Sequence, residues 1–274
     1  TTSDPARLSE VFFADARVRK LTFTGSTEVG IRLYAEAART VKRVSLELGG
    51  HAPFLVFEDA DVPAAVLQVM ASKFRNAGQT CVCANRIYVH RAIAEAFIDR
   101  LTTAVASLRL GEPLEDSTQV GPLVDQQGLR KVEAHVTDAV SKGAEVRVGG
   151  RRRHGLFYEP TVLTGVASGM RILEEETFGP VAPVVTFDSE AEAIGAANST
   201  PFGLAAYIWT RDLGRAFRVA EALDYGIVGV NDGLPSTPHA PFGGVKYSGV
   251  GREGGRWGLD EFLDVKYVSV LLPE

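Results

Sequence analysis

From Lys20 onward the chain alternates short apolar runs with longer stretches whose apolar residues recur at helical spacing. Lys20 to Thr24 reads as a strand entering Gly25-Ser26-Thr27. Glu28 to Thr40 has the three-to-four-residue period of a helix, and Arg43 to Leu48 is a second strand that stops at Gly49-Gly50. Strand, helix and strand within about 30 residues is the signal of a parallel pair, which needs a crossover long enough to return to the same edge. Before it, Asp4-Pro5 offers a capping acid and a proline at the first helical position, so residues 5–15 are predicted helical. After it come a strand at 52–57, a helix capped by Asp59 or Asp61 and running to about Arg75, a strand at 84–90 and a helix at 92–108. A helix at 125–142 and a strand at 144–148 follow, then strands near 181–187, 205–210 and 226–230 separated by helices near 189–198 and 212–224. The last apolar run, Val265 to Leu272, alternates weakly and is predicted as an edge strand. The fold class is therefore α/β, with helices layered on a mostly parallel sheet.

Composition narrows the function. The 274 residues carry a formal net charge of -5, and Arg151-Arg152-Arg153 is too short a basic run to track a phosphate backbone, which argues against nucleic acid. No apolar run approaches the roughly 20 residues that cross a bilayer. The five histidines are scattered outside any HExxH or CxxC…HxxxH spacing, so no metal site is expected. Thr1 to Pro5 lack the basic and apolar regions of a signal peptide, and two cysteines, Cys81 and Cys83, cannot frame a domain this large. A reducing, cytoplasmic setting is the expectation. Gly249-Val250-Gly251-Arg252-Glu253-Gly254 matches the GxGxxG pattern of dinucleotide-binding loops. The text before it reads as loop rather than as the strand that fingerprint requires, so it is rejected.

Several residues could carry chemistry. Cys81 follows Asn76-Ala77-Gly78-Gln79-Thr80, just beyond an apolar helix, on a loop between two buried elements. Such loops concentrate catalytic groups, although free cysteines also serve as small buried hydrophobes. Glu47 lies between leucines near a strand end. Buried there, desolvation would raise its pKa toward the working range of a general base; facing water on an edge strand, it would do nothing. Gly25-Ser26-Thr27 joins a strand to a helix, where Ser26 or Thr27 can cap the helix and the same free N–H groups can receive a phosphate.

Taken in order, Phe23-Thr24-Gly25-Ser26-Thr27 with Gly30, Leu46-Glu47-Leu48-Gly49-Gly50, Asn76-Ala77-Gly78-Gln79-Thr80-Cys81, Glu176-Thr177-Phe178-Gly179-Pro180 and Pro241-Phe242-Gly243-Gly244-Val245-Lys246 resemble the aldehyde dehydrogenase superfamily over essentially the whole chain. The resemblance implies oxidation of an aldehyde with NAD or NADP. Cys81 would be the nucleophile and Glu47 the base that activates water. Gly25, Ser26 and Gly30 would lie at the pyrophosphate. Glu176 would hold the nicotinamide ribose, Phe178 would lie against the ring and Asn231 would support the active-site loop. The run from Arg75 to Arg86 resembles the succinate-semialdehyde dehydrogenase branch. There an arginine at Arg75 binds the substrate's distal carboxylate, helped by hydroxyls at Ser236 and Thr237, and Cys83 can pair with the nucleophile as a redox switch. Read without the resemblance, Arg75 is a cation at a helix C-terminus, Ser236 and Thr237 are turn residues, and Cys83 is a buried thiol.

Whole members of that family are nearly twice as long, so the chain is expected to continue a preceding half that supplies most of the dinucleotide sheet. Residues 1–46 would be the last part of the dinucleotide domain, 47–248 the catalytic domain, and 249–274 a C-terminal helix and an oligomerising strand. A homodimer or homotetramer is implied. Two other readings are a truncated family member that acts as a binding or assembly module, and a cofactor-independent thiol esterase built on Cys81 and Glu47.

Overall fold

The computed structural model describes residues 3–273. In chain order its elements are α1 (Pro5–Ala14), β1 (Lys20–Thr24), α2 (Thr27–Ala38), β2 (Arg43–Glu47), β3 (Ala52–Val56), α3 (Val62–Lys73), a 3-10 turn (Arg75–Gly78), β4 (Ala84–His90), α4 (Arg91–Ala106), α5 (Gln126–Ser141), β5 (Glu145–Val148), β6 (Thr161–Thr164), α6 (Arg171–Glu174), β7 (Val181–Phe187), α7 (Glu190–Asn198), β8 (Ala205–Trp209), α8 (Leu213–Ala222), β9 (Ile227–Val230), a second 3-10 turn (Lys246–Ser248), β10 (Gly249–Val250) and α9 (Gly255–Asp260). Side-chain caps start the helices where the sequence offers them. Asp4, Asp61, Asp125 and Asp212 each accept from a backbone N–H three residues on. Asp59, the other candidate for α3, instead accepts from the hydroxyl of Thr210 and the amides of Arg211 and Asp212.

Two sheets result. The smaller has the order β1-β2-β10, with β1 and β2 parallel from Lys20↔Arg43 to Thr24↔Glu47 and β10 antiparallel to β2. The larger has the order β5-β6-β7-β4-β3-β8-β9 and is parallel except for β5 at its edge. Its central strands are buried on both faces. Phe54, Val56, Ile87 and Val89 point into a core shared with α3 and α4, while Leu55, Phe57, Tyr88 and Ile208 point into one shared with α7 and α8. This double burial explains why β3 reads as a continuous apolar run rather than an alternating one. Among the described residues no helix is long and apolar enough to cross a membrane.

Three expectations change. Val265 to Leu272 forms no strand: its side chains are mostly exposed, with Val265 and Leu271 essentially bare, and a strand needs a ladder partner that this tail does not meet within the chain. Gly249–Val250, expected to open a separate tail, pairs with Leu46 and Glu47 instead. The residues after it also dock on the small sheet, where the Glu261 carboxylate accepts from Ser45 Oγ at 3.1 Å and Arg43 donates to the Leu263 carbonyl at 2.7 Å. The helix expected to run to about Arg75 ends at Lys73.

Candidate active site

β2 delivers Glu47 to the seam between the two sheets, and the following residues are held on both sides. Leu48 N–H donates to the Ser248 carbonyl at 3.0 Å, Gly49 N–H to Thr27 Oγ1 at 3.2 Å, and Gly50 N–H to Glu176 Oε1 at 3.0 Å. A Cβ on Gly50 would stand 2.3 Å from the Cys81 carbonyl oxygen, so only glycine lets this segment pass the loop that carries the cysteine. Glu47 itself is 3% exposed, and its Oε2 has no hydrogen-bond partner. Burial, reinforced by repulsion from Glu253 and opposed by Arg252, pushes its carboxyl up to about 8. A carboxyl in that range can both give up and regain a proton near neutral pH.

The loop carrying Cys81 is backbone-strained and braced. Asn76 and Ala77 adopt left-handed conformations (φ 50° and 54°), followed by Gly78 at φ 74°. For the two non-glycine residues this costs roughly 1–2 kcal/mol each, which the surroundings must offset. Gln79 supplies much of the brace: its Nε2 donates to the Asn76 and Pro122 carbonyls and its Oε1 accepts from Val124 N–H at 2.8 Å. The Tyr207 hydroxyl donates to the Val82 carbonyl from β8. Cys81 emerges half-buried, and among the described residues no backbone acceptor takes its N–H, which turns to the residue's own sulfur. An amide beside the reacting sulfur can also reach an oxyanion that develops there. Burial first, then the charges of Glu176, Glu47 and Cys83, push the Cys81 thiol up to about 11. The sulfur and the Glu47 carboxyl thus lie within one another's field, although Glu47 ends β2 and Cys81 lies on the loop before β4.

The remaining expected residues fall as follows. Ser26 caps α2 by accepting from Val29 N–H at 3.4 Å, and Gly25 N–H donates to the Glu47 carbonyl at 3.0 Å. Among the described residues the amides of Thr27 and Glu28 have no acceptor, so the first turn of α2 presents free N–H groups at the end of a parallel strand, the chemistry a pyrophosphate needs. Gly30 is used for packing: a Cβ there would stand 2.3 Å from Leu48 Cδ2. Glu176 is half-buried and has its pKa raised by desolvation, and Phe178 is partly exposed. Arg75 is exposed and forms no ion pair among the described residues. Ser236 and Thr237 are exposed on the loop that begins at Asn231, whose side chain grips the backbone of Thr210. That loop is tied to α3 by Gly233 N–H donating to Gln68 Oε1 at 3.1 Å, but no hydrogen bond joins either hydroxyl to Arg75. Cys83 is buried, with its Sγ facing Gly78, Asn85 and Lys73 rather than solvent.

Sequence reasoning passed over Gln79, Lys73, Arg252 and Glu253. Arg252 and Glu253 lie in the rejected GxGxxG stretch, whose Gly249 passes close to the Leu46 carbonyl, and both act on Glu47. Lys73 did carry a signal: it sits four residues after the buried Val69, on the inward face of α3.

With this geometry in view, the similarity to known proteins is specific. The model of the aldehyde dehydrogenase family matches residues 2–268, and the chain belongs to that family. It is 54% identical over 253 residues to the glutarate-semialdehyde dehydrogenase of Pseudomonas putida, covering 92% of this chain and 53% of that protein. It is 52% identical over 255 residues to the NADP(+) succinate-semialdehyde dehydrogenase GabD of Escherichia coli, again covering 92% of this chain and 53% of the relative. The crystal structure of succinate-semialdehyde dehydrogenase from Burkholderia pseudomallei superposes with a TM-score of 0.96 at 52% identity, over 98% of this chain and 56% of that one. The chain thus spans about half the length of the relatives it matches.

Proposed function

We propose that this chain is the catalytic portion of an NAD- or NADP-dependent dehydrogenase that oxidises a carboxylate-bearing semialdehyde, of the succinate or glutarate kind, to the acid. The observation that carries the reading is the pairing of Cys81, on a braced loop with its backbone amide beside the sulfur, with a buried Glu47 whose carboxyl is raised to about 8. Cys81 sulfur attacks the aldehyde carbon once its proton has left, and Glu47 is the nearby group able to accept a proton in the neutral range. The Cys81 N–H stabilises the oxyanion that forms. A nicotinamide bound there would supply the acceptor for the hydride that the tetrahedral carbon expels. The acyl group then remains on Cys81 as a thioester, and Glu47 deprotonates the water that cleaves it.

The residues present fit a dinucleotide: the free amides of Thr27 and Glu28 suit its pyrophosphate, with Gly25 and Ser26 shaping that turn. Glu176, anchored to Gly50 N–H, and the partly exposed Phe178 are the groups proposed for the nicotinamide ribose and ring. Arg75, unpaired and exposed, is the proposed partner of the distal carboxylate, because its planar fork matches two carboxylate oxygens. Ser236 and Thr237 would complete that grip if the loop closes toward Arg75. Residues 1–46 would form the end of the dinucleotide domain, and the exposed apolar tail at 265–272 would assemble copies of the whole protein into a homo-oligomer. In the whole protein, Arg75→Ala should raise KM for a carboxylate-bearing aldehyde at least tenfold more than for a neutral one of equal length, a loss of about 1.4 kcal/mol or more. Equal effects on both substrates would remove the semialdehyde assignment.

A further inference from the structure

Lys73 ends α3 with a charged side chain that is completely buried. Its Nζ lies 2.7 Å from Asn85 Oδ1, 3.5 Å from the Thr177 carbonyl oxygen and 3.7 Å from Cys83 Sγ. Among the described residues no carboxylate lies within ion-pair distance of it. A desolvated ammonium is disfavoured there, helped only by Cys83 and by the charge of Glu176 from beyond ion-pair distance. Burial lowers the proton affinity of Lys73, which favours the neutral amine with its free lone pair. Nitrogen and sulfur face each other at 3.7 Å in the interior, and the reaction proposed above uses neither.

We propose that Lys73 and Cys83 form an oxidation-sensitive pair that closes to a covalent sulfur–nitrogen bond when a hydroperoxide reaches Cys83. In the first step the Cys83 sulfur attacks one peroxide oxygen and the O–O bond breaks. The other oxygen takes up the thiol proton and leaves as water, or as an alcohol from an alkyl hydroperoxide, so the sulfur is oxidised by two electrons to a sulfenic acid while the peroxide is reduced. In the second step the Lys73 nitrogen lone pair attacks that sulfur, the S–O bond breaks, and the hydroxyl leaves with a proton from nitrogen as water. This is the condensation sulfenic acids undergo with a nearby nitrogen, with a lysine amine in place of a backbone amide. Hydrogen peroxide is nearly water-sized, and Cys81, two residues from the buried Cys83, is only half-buried.

The geometry favours Lys73 over Cys81 as the capturing group. Cysteines separated by one residue bridge only when the backbone rearranges, whereas Cys83 Sγ already contacts Lys73 Nζ. The link would staple the end of α3 to the start of β4, on either side of the nucleophile loop. It would also protect Cys83 from irreversible oxidation and leave Cys81 a free thiol.

The test is peptide mapping of the native protein after brief exposure to hydrogen peroxide, with alkylation of free thiols and digestion by trypsin without reductant. The pair predicts loss of cleavage after Lys73, and joining of the peptide that ends at Arg75 to Asn76–Arg86 at a mass two hydrogens below their sum. Cys81 should be alkylated within that linked species, and dithiothreitol should separate it. A Cys81→Ser variant should give the same linked peptide, because its mass loss cannot come from a disulfide. Unchanged cleavage after Lys73 in either protein, whether Cys83 is recovered as thiol, sulfinic acid or a disulfide with Cys81, would overturn the proposal.

Discussion

Replacing Glu47 by glutamine removes an ionisable group whose proton the folded chain holds far longer than the unfolded one. The carboxyl is raised from 4.5 to about 8, chiefly by burial and by Glu253. Below pH 4.5 both states carry the proton and Glu47 contributes no pH dependence. Above it the unfolded chain ionises while the folded one does not, so stability falls as pH rises, by about 1.4 kcal/mol per pH unit. The fall ends near pH 8, where the folded state ionises too, and by then amounts to roughly 5 kcal/mol. Glu47→Gln keeps the shape and loses the penalty. Urea unfolding of both proteins at several pH values from 5 to 8.5 isolates the effect, because titrations uncoupled from Glu47 cancel in the difference. The variant should gain steadily on the parent across that range and level off above pH 8. A difference that stays constant with pH would mean that Glu47 ionises near its ordinary value, and the argument for it as a base would fail.

Other outcomes follow from the same geometry. Gly50→Ala drives a methyl into the Cys81 carbonyl, a backbone atom that cannot rotate away, so it should destabilise the protein by about 1–3 kcal/mol and alter Cys81 alkylation; thermal melting at unchanged midpoint would refute the close approach. With the thiol pushed up to about 11 from 9.0, Cys81 should hold about a hundredfold less thiolate at pH 7 than an unperturbed cysteine. Its iodoacetamide rate should keep climbing beyond pH 9, and a plateau below pH 8 would contradict the burial and charge that raise it.

The strands and helices that position the site were legible in the sequence because their periodicity and caps are strong. β1, β4 and β7 fall on the residues their apolar runs marked, and Asp61 and Asp125 start the helices expected of them. β6 and α6 escaped because four residues show no period, and β10 because two residues, one of them glycine, carry no apolar signal. The tail alternates as expected, but within this chain it meets no ladder partner. At the site, the candidates themselves could be named from motifs, yet their electrostatics could not. Nothing in the spacing of Glu47 announces that Arg252 and Glu253, two hundred residues on, set its proton affinity. Nor does an arginine-to-hydroxyl separation such as that from Arg75 to Ser236 reveal whether the loop between β9 and β10 stands open or closed.

The central claim is that one sulfur carries the acyl group. The whole protein, mixed with succinate semialdehyde and either nicotinamide cofactor and quenched in acid within one turnover, should yield the Asn76–Arg86 peptide with the acyl mass on Cys81. Acyl mass on Cys83 instead, or turnover with no acylated peptide at any time, would contradict it.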